Sequence, residues 1–368
     1  MNRALIDHRG PEFGQMGRRL LVDLRVVFKT DSPVLVFPSS GSGAWEAALL
    51  NTLSPGDRVL AVDQGFFAGK WVEVARRLGL EVEEIASDWR RPVDPSAIEQ
   101  ALAADSEHPF AAVLIVHNET STGVTSDIAA IRAAMDRTGH PALLMVDAVS
   151  SLGATDYRHD DWGVDVTVSG SQKGLMLPPG LGFTAVSGKA LAAHEGAGLP
   201  RAYWDWGDML RFNEDGFFPY TPATSLLYAL AESLEMLGEE GLERVFARHA
   251  RFAEATRRAV AAWGLENYSV DPAAQSNSGT TVVMPEGSDA DELRSEILER
   301  FDMSLGTGLG RLKGLVFRIG HLGDLNELTL AGALCGVEMG LEAAGVPHTA
   351  GGVEAAMTYL VETTADGS

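Results

Sequence analysis

Lys173 is the residue of this sequence best placed to do covalent chemistry. It stands in "VDVTVSGSQKGLMLPPGLGF", just after an apolar run and a Ser-Gly-Ser turn. A lysine flanked in this way points into the interior or a cleft. There, desolvation or a nearby cation lowers the amine pKa and makes it a nucleophile toward carbonyls. Asp147 ends another apolar run, "ALLMVD", 26 residues earlier. A carboxylate at the carboxyl end of a buried strand sits where parallel sheets bind ligands, although the same residue type also caps turns. The third candidate is "SSGSGAWEAALLNTL", where Ser40, Gly41 and Ser42 lie between an apolar run and a helical stretch. Gly41 and Gly43 permit close backbone approach, and the free N–H groups of a helix start bind an anion.

The glycine loop alone allows two owners. A dinucleotide is one, because Asp63 follows Gly43 by 20 residues at the end of the next apolar run. Against it, Glu46 stands where the third glycine of the fingerprint is required. Pyridoxal phosphate is the other, and it needs a phosphate cradle, a Schiff-base lysine and a carboxylate for its pyridinium nitrogen. Ser40-Gly41-Ser42, Lys173 and Asp147 supply all three, whereas an NAD-dependent dehydrogenase leaves Lys173 unused. The three motifs together decide for pyridoxal 5'-phosphate.

These residues need a sheet to hold them. Short, almost continuously apolar runs at 34–37, 58–63, 110–117, 142–147, 164–170 and 182–188 read as strands buried on both faces. Between them lie amphipathic stretches such as "SDIAAIRAAMDRTG", with Ser126 as the expected N-cap. The alternation predicts an α/β fold with a mostly parallel central sheet. After residue 195 the chain turns aromatic and irregular. A long helical stretch over 225–263 follows, with breaks expected near Gly238 and Gly241. Beyond Gly264, "TTVVMP", "LVFRIG" and helices over 289–300 and 326–344 predict a smaller α+β C-terminal domain. The expected division is an N-terminal arm over 1–20, a large cofactor-binding domain over 21–250 and a small domain over 251–368. The final "TTADGS" is expected to fray.

Composition narrows the class. The chain has 368 residues, is 45% hydrophobic and carries a net charge of −22. No basic footprint for nucleic acid is visible, and no apolar run approaches the roughly 18 residues of a membrane span. The N-terminus has no signal-peptide pattern. The single cysteine, Cys335, excludes an intramolecular disulfide and fits a reducing compartment, so a cytoplasmic location is expected. Cys335 lies in an apolar helical pattern and reads as a small buried core residue. His159, beside Asp160 and Asp161, reads as part of a solvated loop rather than a metal site.

The chain resembles the class V aminotransferases of the fold-type I pyridoxal phosphate enzymes, and among them the bacterial serine–glyoxylate aminotransferases. The likeness rests on "FPSSGSGAWEAALLNTLSPGDRVLA", "VHNETSTGVTSDIAAIR", "HPALLMVDAVSSLG", "GSQKGLMLPPGLGF", "FFPYTP" and "VFRIGHLGDLNEL". The resemblance implies that Lys173 carries the cofactor, Asp147 bonds the pyridine nitrogen, and Val149 and Phe67 pack on the two faces of the ring. It implies that Thr120 bonds the phenolic oxygen and that Ser40, Gly41, Ser42 and Gln172 hold the phosphate. Tyr220 and Thr221 are implied to reach the phosphate of a neighbouring subunit in a homodimer, or in a tetramer. Arg318 is implied to clamp the substrate carboxylate, a task suited to its planar fork. His117 and His321 are read as supporting residues rather than acid–base groups. The substrates implied are small amino and 2-oxo acids, with serine, aspartate or alanine as donor and glyoxylate as acceptor. Relatives commonly begin with a "PGPT"-like segment that precedes the first residues of this chain. They also read "YTPP" where Ala223 stands here. The cysteine desulfurases of the same architecture need a loop cysteine, which Cys335 does not supply.

Overall fold

The computed structural model describes residues 4–105 and 108–364. Helix α1 (Pro11–Phe28) leads into β1 (Val34–Ser39), α2 (Gly41–Thr52), β2 (Arg58–Asp63), α3 (Phe66–Arg77) and β3 (Glu81–Ala86). Next come α4 (Pro95–Ala104), β4 (Ala112–Val116), the short pair β5 (Asn118–Glu119) and β6 (Val124–Thr125), and α5 (Ile128–Thr138). Strands β7 (Leu143–Asp147), β8 (Val166–Gly170) and β9 (Gly180–Val186) precede α6 (Gly188–Gly196), α7 (Trp206–Asn213), α8 (Thr224–Glu240) and α9 (Leu242–Ala262). The remainder carries β10 (Glu266–Asn267), β11 (Gly279–Val283), α10 (Ala290–Phe301), β12 (Gly306–Thr307), β13 (Val316–Gly320), α11 (Glu327–Ala343) and α12 (Gly352–Glu362).

Seven strands form one sheet in the order β1-β9-β8-β7-β4-β2-β3, in which β9 alone runs against its neighbours. The central strands β4, β7 and β8 are buried at every position, as a sheet covered on both faces requires. Side-chain alternation divides the core. Val34, Val36, Ile115 and Val146 face α1, α4, α5 and α8, while Leu35, Phe37, Leu114 and Met145 face α2, α3, α6 and α7. β3 closes one edge with Glu81, Glu83 and Glu84 exposed. Its charged pattern hides it from an apolar search and also protects a sheet edge from further pairing.

The second sheet, β10-β11-β13-β12, is antiparallel and packs with α9, α10, α11 and α12 around Phe252, Trp263, Phe317 and Leu341. The long helical stretch breaks once, at Gly241, whose φ of 82° lies in the left-handed region. Gly238 stays inside α8, so the break expected there does not occur. Helix α5 is capped by the Asp127 carboxylate and not by Ser126, whose hydroxyl accepts from the Val93 N–H instead. Cys335 is exposed, contrary to the expectation of burial. The buried stripe of α11 runs through Leu330, Leu334, Val337 and Leu341, and Cys335 lies one step off it. Of the terminal stretch expected to fray, 365–368 lies outside the described residues. No helix among the described residues is long and apolar enough to cross a membrane.

Candidate active site

The parallel strands end on one edge of the large sheet, and the chemistry gathers there. A cavity of about 130 Å³ is bordered by Ser40, Gly41 and Ser42 after β1, by Asp147 and Val149 after β7, and by Gln172 and Lys173 after β8. Phe67 and Thr120 complete the set from the starts of α3 and the β4–α5 connection. A second cavity of about 300 Å³ shares Thr120 and Lys173 with the first and adds Arg318 from β13. Ten of the twelve residues singled out in the sequence therefore converge. Tyr220 and Thr221 do not join them in this chain. They border a separate pocket with His8, Arg9 and Phe217, and Tyr220 stacks on Tyr203 at 4.5 Å.

Each part has a local cause. Ser40 is the N-cap residue of α2 without a side-chain cap bond, so the first N–H groups of that helix remain free for an anion. Gly41 is required by close approach, because a Cβ there would lie 2.5 Å from Val149 Cγ2. Asp147 is buried; its Oδ2 accepts from Trp45 Nε1 at 2.9 Å and its Oδ1 from the Val149 N–H at 2.7 Å. Burial nevertheless pushes its carboxyl up to about 7, so the site calls for a positive partner at this oxygen pair.

Lys173 is held by a closed loop. Ser171 Oγ donates to the Pro178 carbonyl at 2.8 Å and accepts from the Leu181 N–H at 3.2 Å. Met176 takes φ 58°, an uncommon conformation for a residue with a side chain, and its N–H donates to the Lys173 carbonyl at 2.9 Å. Burial, then the nearby Arg318 charge, lowers the Lys173 pKa, opposed in part by Asp147. Arg318 donates through Nε to the Thr307 carbonyl and through Nη1 to the Thr120 carbonyl, both at 2.9 Å. Its fork is thereby braced by two strands' worth of backbone.

Several residues of the site were not singled out in the sequence. Trp45 supplies a hydrogen bond to Asp147, and its only signal was its place in the loop quoted above. Glu119, in "HNETSTG", is fully buried and accepts four hydrogen bonds. Ser150 bonds Thr120 Oγ1 through its hydroxyl and receives Ser278 Oγ at its carbonyl. Such hydroxyls carry no signal in a single sequence.

The other residues weighed in the sequence lie elsewhere, and His159 departs from its expected place. Asp63 does not serve the glycine loop: β1 and β2 are separated by β9, β8, β7 and β4, and Asp63 Oδ1 accepts from Trp89 Nε1 at 2.8 Å. The dinucleotide reading fails on that topology. His159 is buried, not solvated, and its Nδ1 lies 2.7 Å from Thr167 Oγ1. No cluster able to hold a metal is present among the described residues. His117 and His321 are buried and depressed to about 4 and about 3, chiefly by desolvation, and both face hydroxyl or carbonyl oxygens. They are neutral structural groups.

The residues present fit pyridoxal phosphate. An uncapped helix start and a glycine that only a Cβ would fill make the phosphate cradle. The Gln172 side-chain oxygen is buried without a hydrogen-bond partner, at the rim of that cradle. Asp147 offers a desolvated carboxylate to a ring nitrogen.

Comparison with known proteins agrees. The aminotransferase class-V family model matches residues 8–309. The chain is 50% identical over 363 residues to a serine–glyoxylate aminotransferase of Methylorubrum extorquens, covering 97% of this chain and 90% of that one. It is 47% identical to an L-aspartate–glyoxylate aminotransferase of Paracoccus denitrificans, covering 98% and 91%. The crystal structure of a ureidoglycine–glyoxylate aminotransferase from Bacillus subtilis superposes with a TM-score of 0.91 at 27% identity, covering 98% and 93%. Taken with a cavity that brings a lysine, a buried carboxylate and an uncapped helix start together at the carboxyl edge of the sheet, these likenesses establish that the chain belongs to the class-V aminotransferases and is a transaminase of fold type I working with pyridoxal 5'-phosphate.

Proposed function

We propose that this enzyme moves an amino group from serine to glyoxylate, giving hydroxypyruvate and glycine. The observation that carries the donor is the wall of the larger cavity. Thr120, Ser150, Ser276, Ser278 and Ser304 line it, and Arg318 and Lys173 are the cationic residues among those that border it. One guanidinium matches one α-carboxylate, and the hydroxyl-rich wall matches a small polar side chain. An aspartate donor brings a second carboxylate, for which this wall offers no further cation. The serine–glyoxylate activity named for the Methylorubrum relative supports the same choice. The aspartate–glyoxylate activity of the Paracoccus relative makes aspartate the second reading.

In this reading Ser40, Gly41, Ser42 and Gln172 hold the cofactor phosphate, Val149 and Phe67 sandwich the ring, and Thr120 bonds its phenolic oxygen. When bound, pyridoxal phosphate supplies a carbonyl reactive toward amines and a ring that accepts the electron pair released at the substrate α-carbon. Asp147 pairs with the ring nitrogen and keeps it protonated. Lys173 Nζ, its pKa lowered by burial, holds the cofactor at rest. Once displaced by the donor, its amine would take the proton from the substrate α-carbon as the general base. Arg318 fixes the carboxylate and so aims the Cα–H bond. Tyr220 and Thr221 serve the neighbouring subunit of a homodimer, a role supported by their distance from this chain's own cavity. The single cysteine supports a cytoplasmic location.

Half-reaction spectra test the donor. The purified protein with cofactor is expected to absorb near ~400 nm. Serine bleaches that band faster than aspartate or alanine, and glyoxylate restores it. Faster bleaching by aspartate overturns the donor assignment, and a Lys173→Ala variant with full turnover overturns the mechanism.

A further inference from the structure

We propose that Glu119 is a positioning residue that sets the pose of Phe67 at the cofactor by capping α3 from the neighbouring strand connection. Helix α3 starts after Gly65, which has no side chain with which to cap it. Its first donors are met from far along the chain. Glu119 Oε2 accepts from the N–H of Phe67 at 3.0 Å and of Ala68 at 3.1 Å. Ser121 Oγ accepts from the Phe66 N–H at 3.0 Å. The other carboxylate oxygen, Oε1, accepts from the Ser121 N–H at 3.0 Å and from its hydroxyl at 2.7 Å.

Both oxygens of Glu119 are thus engaged, its side chain is wholly buried, and among the described residues no cation makes a direct ion pair with it, although Arg318 feels its charge. A desolvated carboxylate without a direct ion pair costs free energy unless N–H donors and the positive end of a helix surround it. The first turn of α3 supplies both. The fit is close: a Cβ on Gly65 would lie 2.2 Å from Glu119 Cγ. Asn118 and Thr120, on either side of Glu119, border the cavity, and so does Phe67. The Thr120 carbonyl also receives Arg318 Nη1. Glu119 therefore ties Phe67 to the β5–β6 segment that carries Asn118 and Thr120 to the cavity, and moving it moves both. This inference rests on the placement of Phe67 against the cofactor.

The test is Glu119→Gln in the holoenzyme. Glutamine keeps the shape but turns one acceptor oxygen into an NH2 group facing N–H or O–H donors. Amide exchange at Phe67 and Ala68 is expected to speed at least ~10-fold, and the visible circular-dichroism band of the bound cofactor is expected to change. The kcat is expected to fall on the order of 10²-fold, the cost of a misplaced reacting group. The KM for the amino donor, which reports Arg318, is expected to rise by a smaller factor, because Arg318 donates to the Thr120 carbonyl beside Glu119. Unaltered exchange and an unaltered band overturn the inference. Faster exchange with an unaltered band and kcat also overturns it, because Glu119 is then a helix cap and nothing more. If Glu119→Gln does not fold, Ser121→Ala must give the same pattern at smaller amplitude, and wild-type behaviour there overturns the proposal. A wild-type protein that shows no cofactor band at all overturns the cofactor placement itself, which separates the two failures.

Discussion

Asp147 illustrates how much a single side chain can be asked to do by its surroundings. Its carboxyl is pushed up to about 7 by burial, although Val149 and Trp45 donate to it. In the unfolded chain an aspartate titrates near ~4. Between these values the folded cofactor-free protein holds a proton that the unfolded chain has released. Stability of the cofactor-free protein is therefore expected to fall as pH rises from about 4 to about 7 and to level off above, by on the order of 4 kcal/mol from this group. Thermal melts of Asp147→Asn across that range should lose this slope; an unchanged slope assigns it to other groups. Added cofactor should offset the loss in the wild type, because a ring-nitrogen cation gives the ionised carboxylate its partner. The convergence of Asp147 and Lys173 on one cavity was legible from their place after apolar runs. Trp45 and Glu119 were not, because a hydrogen bond between residues 102 or 52 positions apart leaves no local pattern.

At the scale of elements, the two ends of helices decide the site. The start of α2 is open and the start of α3 is closed by Glu119, so an anion has one free helix terminus to use. Gly41 keeps the first of these accessible. Gly41→Ala is expected to destabilise the protein by about 1–3 kcal/mol through overpacking against Val149, and to weaken cofactor binding as well. Gly238, inside α8 with open space around its Cα, behaves in the opposite sense. Gly238→Ala should stabilise by about 0.5–1 kcal/mol, with cofactor affinity unchanged. Urea unfolding and cofactor titration of the pair check both signs. The buried strands β4, β7 and β8 were readable as apolar runs, whereas β3 was not, since an edge strand exposes charge at the positions an apolar search relies on. The two glycines 238 and 241 look alike in sequence. Only Gly241 takes a left-handed φ, at the junction of α8 and α9.

For the whole molecule, the large sheet brings the cofactor residues together and the second sheet delivers Arg318 to them through the Thr120 carbonyl. The larger cavity thus lies between two cores, bordered by Lys173 from one and Arg318 from the other. Tyr220 and Thr221 remain outside this chain's cavity, and the homodimer proposed above gives them work. Subunit mixing tests it. Lys173→Ala chains and chains carrying Tyr220→Phe with Thr221→Val are each expected to have low activity. Refolded together, they form mixed dimers in which one site combines an intact lysine with an intact partner loop. Recovery of activity on mixing supports shared sites, and its absence assigns the loop to another role.

By itself the sequence determined the class of the sheet, the residue types of its three motifs and their order along the chain, because these depend on runs of residues and on side-chain type. The tertiary structure decided ownership. Strand order, which no local pattern encodes, put β1 beside β9 with four strands between it and β2, and so took the glycine loop from Asp63 and joined it to Asp147 and Lys173. The same long-range packing buried His159, exposed Cys335 and gave Glu119 its donors, since burial depends on which faces meet and not on the residues next in line.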